Sequence, residues 1–191
     1  MFVMSYDEQS QIFGPCVAGA NSGYYKTLKG IQYYRDLDIP AKKLVLGIPW
    51  YGYVYKCLNV SKGGYCAIEK VPYHGANCSD AAGKEKNYGD LMEILKTSTT
   101  GRIWEDSTLT PYFNFKKGNV TYQVRYDDLE SLTLKYTIAM TYQLRGVGMW
   151  NADALNYTSN DPEVIRQTRQ MWQALPEYET FHQTRYRPKF T

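Results

Sequence analysis

Tyrosine is the residue type that most suggests chemistry in this chain of 191 residues. There are 19 Tyr, against 6 Phe and 4 Trp. A tyrosine side chain combines a flat apolar face with a hydroxyl, which suits a pocket for a flat-sided polar ligand such as a sugar. Alternatively, the tyrosine rings serve only to pack the core and leave their hydroxyls in water. Tyr6-Asp7 is the first candidate pair, because it follows an apolar run that alternates like a strand.

Other catalytic chemistries are disfavoured by residue type and spacing. His74 and His182 lie in loop-like and tail sequence, which argues against a Ser-His-Asp triad. Gly146-x-Gly148 lacks the third glycine and the following helix start of a dinucleotide-binding loop. The cysteines show neither C-x-x-C spacing nor clustered histidines. We therefore expect no metal site and no cofactor.

Composition and charge indicate an ordinary globular chain. Lys+Arg number 22 and Asp+Glu 19, which gives a net charge of +3, and hydrophobic residues make up 43%. So weak a charge gives no electrostatic reason to expect nucleic acid or an anionic membrane as a partner. No apolar run approaches the roughly 18 residues that a membrane span needs.

Four Asn-x-Ser/Thr sequons indicate the secretory route, because about one would be expected by chance. They are at Asn59, Asn77, Asn119 and Asn156. The first residues have no basic region, long apolar stretch or small-residue cleavage site, so they do not resemble a signal peptide. They are predicted to form a strand that begins at Met1. We expect a secretory protein that begins in this way to have lost its N-terminal part.

The cysteine count supports the same compartment, since disulfides form in oxidising environments. The four residues are Cys16, Cys57, Cys66 and Cys78. Four cysteines allow three connectivities, which the sequence does not distinguish, and Cys16 could also pair with a residue outside this chain.

The elements that must position these residues follow a βα order. The pattern predicts a strand, a helix, a buried strand that ends in a structured loop, a long loop-rich segment, a helix, a strand and a final helix. In residue numbers these are 1–6, 21–38, 43–53, 54–124, 129–144, 146–150 and 162–175. The loop-rich segment is expected to contain one short helix, at 87–96, and one hairpin. A polar, frayed tail is expected at 176–191. Alternating β and α elements imply a parallel sheet, but an eight-stranded βα barrel needs about 250 residues, so only its last strands fit here.

Four motifs carry a family resemblance in order and spacing. They are Met4-Ser5-Tyr6-Asp7, Gly47-Ile48-Pro49-Trp50-Tyr51-Gly52, Tyr126-Asp127-Asp128-Leu129-Glu130-Ser131-Leu132 with Lys135, and Gly146-Val147-Gly148-Met149-Trp150-Asn151-Ala152-Asp153. Over residues 1–175 the chain resembles the glycoside hydrolase family 18 chitinases. The resemblance implies an α/β fold, the C-terminal portion of a (β/α)8 TIM barrel at about strands six to eight. The barrel would be incomplete, and an α+β insertion at 51–124 would form one wall of the substrate-binding cleft.

The resemblance also implies roles for individual residues. Tyr6 would donate its hydroxyl to the acetamido carbonyl of the sugar in the cleavage subsite, and Asp7 would hydrogen-bond the same sugar. Trp150 would be the apolar floor under that ring, and Met4 and Tyr51 would line the pocket. In this family the substrate's own N-acetyl oxygen attacks the anomeric carbon, so a hydroxyl that orients this oxygen assists the reaction.

Within the family, the chain is most similar to lysosomal members that trim the chitobiose core of N-linked glycoproteins. The implied partner is an N-acetylglucosamine oligosaccharide, and the implied full-length form is a monomer. Tyr53 departs from the pattern, since many chitinases have Arg there. The catalytic segment Asp-x-x-Asp-x-Asp-x-Glu, which supplies the general acid, does not occur in this sequence. We therefore expect the chain alone to be inactive; a non-catalytic sugar-binding module and a truncated product that does not fold are the alternatives.

Overall fold

The computed structural model describes residues 1–177, so nearly all of the tail predicted at 176–191 lies outside the described residues. The described helices are α1 Tyr24–Asp36, α2 Tyr88–Leu95, α3 Leu129–Thr141 and α4 Pro162–Gln173. The described strands are β1 Phe2–Met4, β2 Val45–Pro49, β3 Tyr51–Lys56, β4 Asn59–Val60, β5 Cys66–Ala67, β6 Gly83–Asn87, β7 Ile103–Glu105, β8 Thr110–Lys117, β9 Val120–Arg125 and β10 Gly146–Trp150. Within this range, no helix combines the length and the apolar character needed to cross a membrane.

A three-stranded parallel sheet forms the first layer, in the order β1-β2-β10. Helix α1 connects β1 to β2, and α3 precedes β10, which is the βα order predicted from the sequence. The parallel α/β arrangement is therefore confirmed. The three strands do not close on themselves, so the described part of the chain is a partial barrel.

The two faces of this sheet differ. Leu46, Ile48 and the adjoining Trp50 are fully buried in the main core, together with residues of the helices. On the opposite face the ring of Phe2 lies over Gly47 and Gly148. A Cβ built on these glycines would meet ring atoms at 2.1 Å and 2.6 Å, respectively. Phe2 nevertheless remains 43% exposed, so this face is open.

The second layer was predicted only in part. Residues 54–124 were expected to be rich in loops with one hairpin, and most of the strands that they contain form a five-stranded antiparallel sheet in the order β6-β3-β9-β8-β7, which was not predicted. The predicted hairpin is present as β8 and β9. At 43–53 the expected buried strand is present as β2, but where a structured loop was expected to follow it the chain enters a second strand, β3, which belongs to a different sheet. Cross-strand packing of tyrosines and phenylalanines stabilises these strands despite their many polar residues.

Trp50 joins the two sheets between β2 and β3. Its backbone N–H donates to the carbonyl of Trp150 at 2.8 Å, and its own carbonyl accepts from the N–H of Tyr88 at 3.0 Å. The buried indole of Trp50 packs edge-on against Trp172 of α4, with ring centroids 5.1 Å apart. One residue therefore ties β10, α2 and α4 to the point where the chain changes sheets.

The motif that opens α3 has a structural explanation. The Asp128 side chain accepts the backbone N–H groups of Glu130 and Ser131, and the Ser131 hydroxyl accepts from the backbone of Asp128, which forms a capping box. Asp127 is fully buried and forms an ion pair with the equally buried Lys135, about two helical turns further along the chain. The cap and the ion pair fix the start of the helix and its rotation against the core.

The predicted cap of α4 is also present. The Asp161 side chain accepts from the Glu163 N–H, and Pro162 occupies the first helical position.

Two disulfides hold the segments that surround the second sheet. Cys16 pairs with Cys78 and Cys57 with Cys66, which selects one of the three possible connectivities. Both lie in a second, smaller hydrophobic cluster that includes Ile12, Ala18 and Tyr55. The predicted disulfides are therefore confirmed, and they fit a protein made in an oxidising compartment.

We expect the two disulfides to differ in their effect on stability. The Cys16–Cys78 bond closes a loop with a sequence separation of 62, against 9 for Cys57–Cys66. Loop-closure entropy then gives losses of about 4 and about 3 kcal/mol in the free energy of unfolding when each pair is changed to alanine. Urea unfolding of the two double variants measures both values. An equal or larger loss for the Cys57→Ala/Cys66→Ala variant would contradict this account.

Candidate functional site

The carboxyl ends of the three parallel strands bring the sequence-predicted residues to one edge of the sheet. Met4 pairs in register with Gly47, and Trp150 with Pro49. Tyr6 and Asp7 follow β1 directly, and Tyr51 follows β2 after Trp50. Ligand sites in parallel α/β sheets lie at this edge, because the strand ends and their loops converge there.

Asp7 is the most constrained of these residues. Its backbone has φ +57°, a left-handed conformation that Asp and Asn adopt more readily than most residues. Its N–H donates to the Asn21 side chain at 2.8 Å, which secures this turn. The hydroxyls of Tyr51 and Tyr53 both donate to one carboxylate oxygen, Oδ1, at 2.5 Å and 3.1 Å. Among the described residues none donates to the second oxygen, Oδ2, so that oxygen is available to a ligand.

Tyr6 lies beside this cluster with its ring edge-on to Tyr51, at a centroid distance of 6.0 Å. Burial, followed by the charge of Asp7, raises the pKa of the Tyr6 hydroxyl. Burial and the hydrogen bond to Asp7 also raise the pKa of Tyr51. Both phenols therefore keep their protons over the whole physiological range and serve as hydrogen-bond donors.

Trp150 offers a flat apolar surface at the same edge. Its side chain is 54% exposed. Its backbone carbonyl accepts the Trp50 N–H, and its peptide bond to Asn151 is cis. Met4 is 70% exposed on the same open face. An exposed indole beside a row of hydroxyl donors fits a ligand with one apolar face and several polar groups.

Sequence reasoning missed four residues that surround Asp7: Asn21, Tyr53, Asp80 and Glu85. Tyr53 was noted only as a departure from the family pattern. Its alternation with Tyr51 and Tyr55 along β3 was a usable signal, because alternate residues of a strand share a face. Glu85 lies opposite Tyr53 on β6. Asp80 comes from a distant, irregular part of the sequence and could not have been placed by pattern.

A cavity of about 270 Å³ lies between the loop after β1 and the second sheet. Arg125 forms part of its wall, with Nη1 2.8 Å from a Glu105 carboxylate oxygen and the guanidinium 4.4 Å from the Tyr112 ring centroid. Glu8 lies in the same wall, 3.8 Å from Lys26. The wall thus combines apolar side chains, among them Ile12 and Val17, with the charged pairs Arg125–Glu105 and Glu8–Lys26.

Burial raises the pKa of Glu8 to about 7, against the opposing effects of the Gly23 N–H and of Lys26. The ordinary value for glutamate is 4.5. Between these two values the folded chain holds a proton that the unfolded chain releases. The contribution of Glu8 to the free energy of unfolding therefore falls as pH rises through this window.

We expect Glu8→Gln to remove this pH dependence. Glutamine stays neutral at every pH, as the protonated glutamate does in acid, so the variant and wild type should be equally stable near pH 4. Above pH 7 the variant should be more stable by up to about 3 kcal/mol. Urea unfolding from pH 4 to 8 measures the difference, with the exposed Glu69→Gln as control. Parallel pH profiles for wild type and Glu8→Gln would contradict the burial argument.

The predicted glycosylation sites lie at the surface to different degrees. Asn59, Asn77 and Asn119 are exposed, and Asn119 lies in the turn between β8 and β9. Asn156 is half-buried, and its side-chain oxygen accepts from the backbone and the hydroxyl of Thr158 in its own sequon. Glycosylation at these positions stays a prediction. No group of three or more His, Cys, Asp and Glu side chains in residues 1–177 is arranged to hold a metal ion.

Comparison with known families and proteins agrees with this geometry. The family model described as "Glycosyl hydrolases family 18" matches residues 1–154. The chain is 48% identical over 176 residues to the di-N-acetylchitobiase of Homo sapiens, a match that covers 92% of this chain and 46% of that protein. It is 42% identical over 191 residues to probable di-N-acetylchitobiase 2 of Dictyostelium discoideum, covering 93% and 48%, respectively. The chain thus spans about half the length of the curated relatives it matches.

Solved structures show the same fold at low sequence identity. A chitinase from Rhizomucor miehei matches with a TM-score of 0.63 and 22% identity, over 89% of this chain and 52% of that one. A class V chitinase from Nicotiana tobaccum, solved as a point mutant in complex with NAG4, matches with a TM-score of 0.62 and 19% identity. That match covers 90% of this chain and 48% of the other.

Proposed function

The chain belongs to the glycosyl hydrolases of family 18, and we propose that it is the C-terminal part of a chitobiase-like glycosidase. The proposed substrate is the GlcNAc-β-1,4-GlcNAc chitobiose core of N-linked oligosaccharides. The observation that carries the proposal is the cluster of Tyr6, Asp7 and Tyr51 beside the exposed indole of Trp150 at one sheet edge. Similarity to relatives named di-N-acetylchitobiase supports the choice of substrate.

In the proposed reaction the substrate supplies its own nucleophile. The acetamido oxygen forms a bond to the anomeric carbon as the glycosidic C–O bond breaks, and the leaving oxygen takes a proton from a general acid. Water then forms a bond to the anomeric carbon as the bond to the acetamido oxygen breaks, with net retention, and the water proton goes to the conjugate base of the general acid. Tyr6, which keeps its proton, would donate to the acetamido oxygen and hold it on the line of attack.

The remaining residues would bind and orient the sugar ring. The Asp7 oxygen that no described residue donates to would accept a sugar hydroxyl, while the two tyrosines fix the other oxygen. Trp150 would lie under the apolar face of the pyranose, and Met4 and Tyr51 would line the pocket. These groups are held by strands and short hydrogen bonds, so the site requires little reorganisation on binding.

The general acid is not among the residues of this chain, because the segment Asp-x-x-Asp-x-Asp-x-Glu does not occur in the sequence. General acid catalysis contributes typically about 10²–10⁴-fold. We therefore expect no turnover by the 191-residue chain alone. The same observation favours a second candidate function, a non-catalytic module that binds chitooligosaccharides.

The compartment and assembly follow from the proposed identity. We place the protein in the lysosome, reached by the secretory route, because two disulfides and four sequons fit that route. N-glycans at Asn59, Asn77, Asn119 and Asn156 and a monomeric full-length form belong to the same proposal.

Binding of chitobiose by the purified chain tests the sugar site. Calorimetry should give saturable binding that weakens at least about tenfold in Trp150→Ala, because the apolar platform is lost. Trp104→Ala is the matched control, since Trp104 is a partly buried tryptophan on the far edge strand β7. Equal affinities for wild type and Trp150→Ala, or no binding at millimolar chitobiose, would contradict the proposal.

Recognition of the acetamido group distinguishes a site specific for N-acetylglucosamine from one that binds any sugar ring. Tyr6→Phe should weaken binding of chitobiose and leave the weaker binding of cellobiose, which lacks the acetamido group, unchanged. A fluorogenic chitobioside assay of the same preparations should show no hydrolysis. Measurable turnover by the wild-type chain would show that its own residues supply the acid.

A further inference from the structure

We propose that closure of the Cys16–Cys78 disulfide blocks N-glycosylation at Asn77, so that the two reactions compete for the newly made chain. The sequon is Asn77-Cys78-Ser79, and its middle residue is one of the two cysteines in the bond. The proposal rests on the secretory route, which is part of the proposed function. It goes beyond that function by making the occupancy of one sequon depend on when a disulfide forms.

The hydroxyl group of this sequon is enclosed in the folded chain. Asn77 itself is exposed, but Ser79 is 0% exposed and its hydroxyl donates to the carbonyl of Val71 at 2.8 Å. N-glycosylation requires a hydroxyl residue at the third position of the sequon, which the transferase must bind. Asn77 is therefore an acceptor only while this segment is open.

The backbone of the sequon is held against the loop after β1. The Ile12 N–H donates to the carbonyl of Cys78 at 2.8 Å, and the Asp80 N–H donates to the carbonyl of Gln9 at 2.8 Å. Cys78 is also fully buried in the smaller hydrophobic cluster. The disulfide joins the same two segments covalently, so the sequon cannot separate from the loop once the bond has formed.

The other three sequons differ in this respect. All four lie within residues 1–177, and among them only Ser79 is a fully buried hydroxyl residue. Ser61 and Thr158 are exposed, and Thr121 is half-buried. Of the four, the sequons of Asn119 and Asn156 also lie outside both disulfide-closed loops, so these two serve as internal standards.

The order of synthesis makes the competition strong at Asn77. Cys16 precedes Cys78 by 62 residues, so the competing thiol is already present when the sequon is made. At Asn59 the order is reversed, because Cys66 follows the sequon that its disulfide would enclose. The Cys57–Cys66 bond therefore cannot close before the transferase meets Asn59.

The two competing reactions are ordinary chemistry of the secretory route. In glycosylation the Asn77 amide nitrogen forms a bond to the anomeric carbon of a lipid-linked oligosaccharide, the lipid diphosphate leaves, and the amide releases a proton. In disulfide formation the two thiols give up their protons and one electron each to the disulfide of an oxidoreductase, which becomes a dithiol. A glycan added first still permits the disulfide, since Asn77 is exposed in the folded chain.

Glycopeptide analysis measures this competition in the full chain, expressed in the secretory pathway of cultured cells behind an added signal peptide. Wild type should be less occupied at Asn77 than at Asn119. Cys16→Ser removes the competing thiol and leaves all four sequons unchanged, so Asn77 occupancy should rise to that of Asn119 in the same molecules. Equal occupancy of Asn77 in wild type and Cys16→Ser would overturn the proposal.

The Cys57→Ser/Cys66→Ser variant is the matched control, because it removes the other disulfide of the same hydrophobic cluster. Its Asn77 occupancy should stay at the wild-type level. A rise as large as that in Cys16→Ser would show that slower folding, rather than the absence of the Cys16–Cys78 bond, exposes the sequon, and would refute the proposal.

A second measurement uses the wild-type sequence. A mild thiol reductant, present during synthesis, should raise Asn77 occupancy in wild type and leave it unchanged in Cys16→Ser, where no Cys16–Cys78 bond can form. Asn119 and Asn156 should not respond in either chain. An increase of the same size at Asn77 in both chains would contradict the competition.

The two proposals fail in different ways. If Asn77 responds to Cys16→Ser but the chain does not bind chitobiose, the proposed sugar site fails and the competition stands. If chitobiose binds and Asn119 carries a glycan, but Asn77 occupancy ignores Cys16, the proposed function stands and the competition fails.

Discussion

The fold depends on the passage of the chain through Trp50. At this residue the backbone leaves a parallel sheet and enters an antiparallel one, and it does so with its N–H, its carbonyl and its indole all engaged by other elements. A buried backbone group without a partner is costly, so the hydrogen bonds to Trp150 and Tyr88 leave little freedom for the angle between the sheets. Because Tyr51 follows directly, the same junction decides where the first tyrosine of β3 meets Asp7.

The geometry around Asp7 is set mainly by neutral donors. Tyr51 and Tyr53 hold its carboxylate, and the nearby Asp80 and Glu85 add negative charge. The buried guanidinium of Arg125, beside Tyr53 in the sheet, is paired with Glu105. Phenols restrain a carboxylate through direction and distance, and they leave the charge of Asp7 available to a ligand.

The sequence predicted much of this arrangement. The parallel βα order, the approximate extents of α1, α3 and α4 and the hairpin β8–β9 followed from periodicity, caps and turn signals. The family resemblance implied that Tyr6, Asp7 and Tyr51 share one site. The antiparallel sheet was missed because β6, with Lys84-Glu85-Lys86, is a polar edge strand and β3 follows β2 after a single residue. The disulfide pairing and the position of Asp80 were also beyond prediction, because both depend on contacts between segments far apart in sequence, with a separation of 62 for Cys16 and Cys78.

The ring of Phe2 lies against the two glycines of the neighbouring strands, where no side chain could fit beside it. The three positions therefore share a fixed volume, and a change at one alters what the others tolerate. In an alignment of relatives this constraint would be visible as covariation. A bulky residue at position 2 would accompany glycine at 47 and 148, and a small residue at position 2 would release both. Sequences that break this rule would identify branches in which the interior of the barrel is filled in another way.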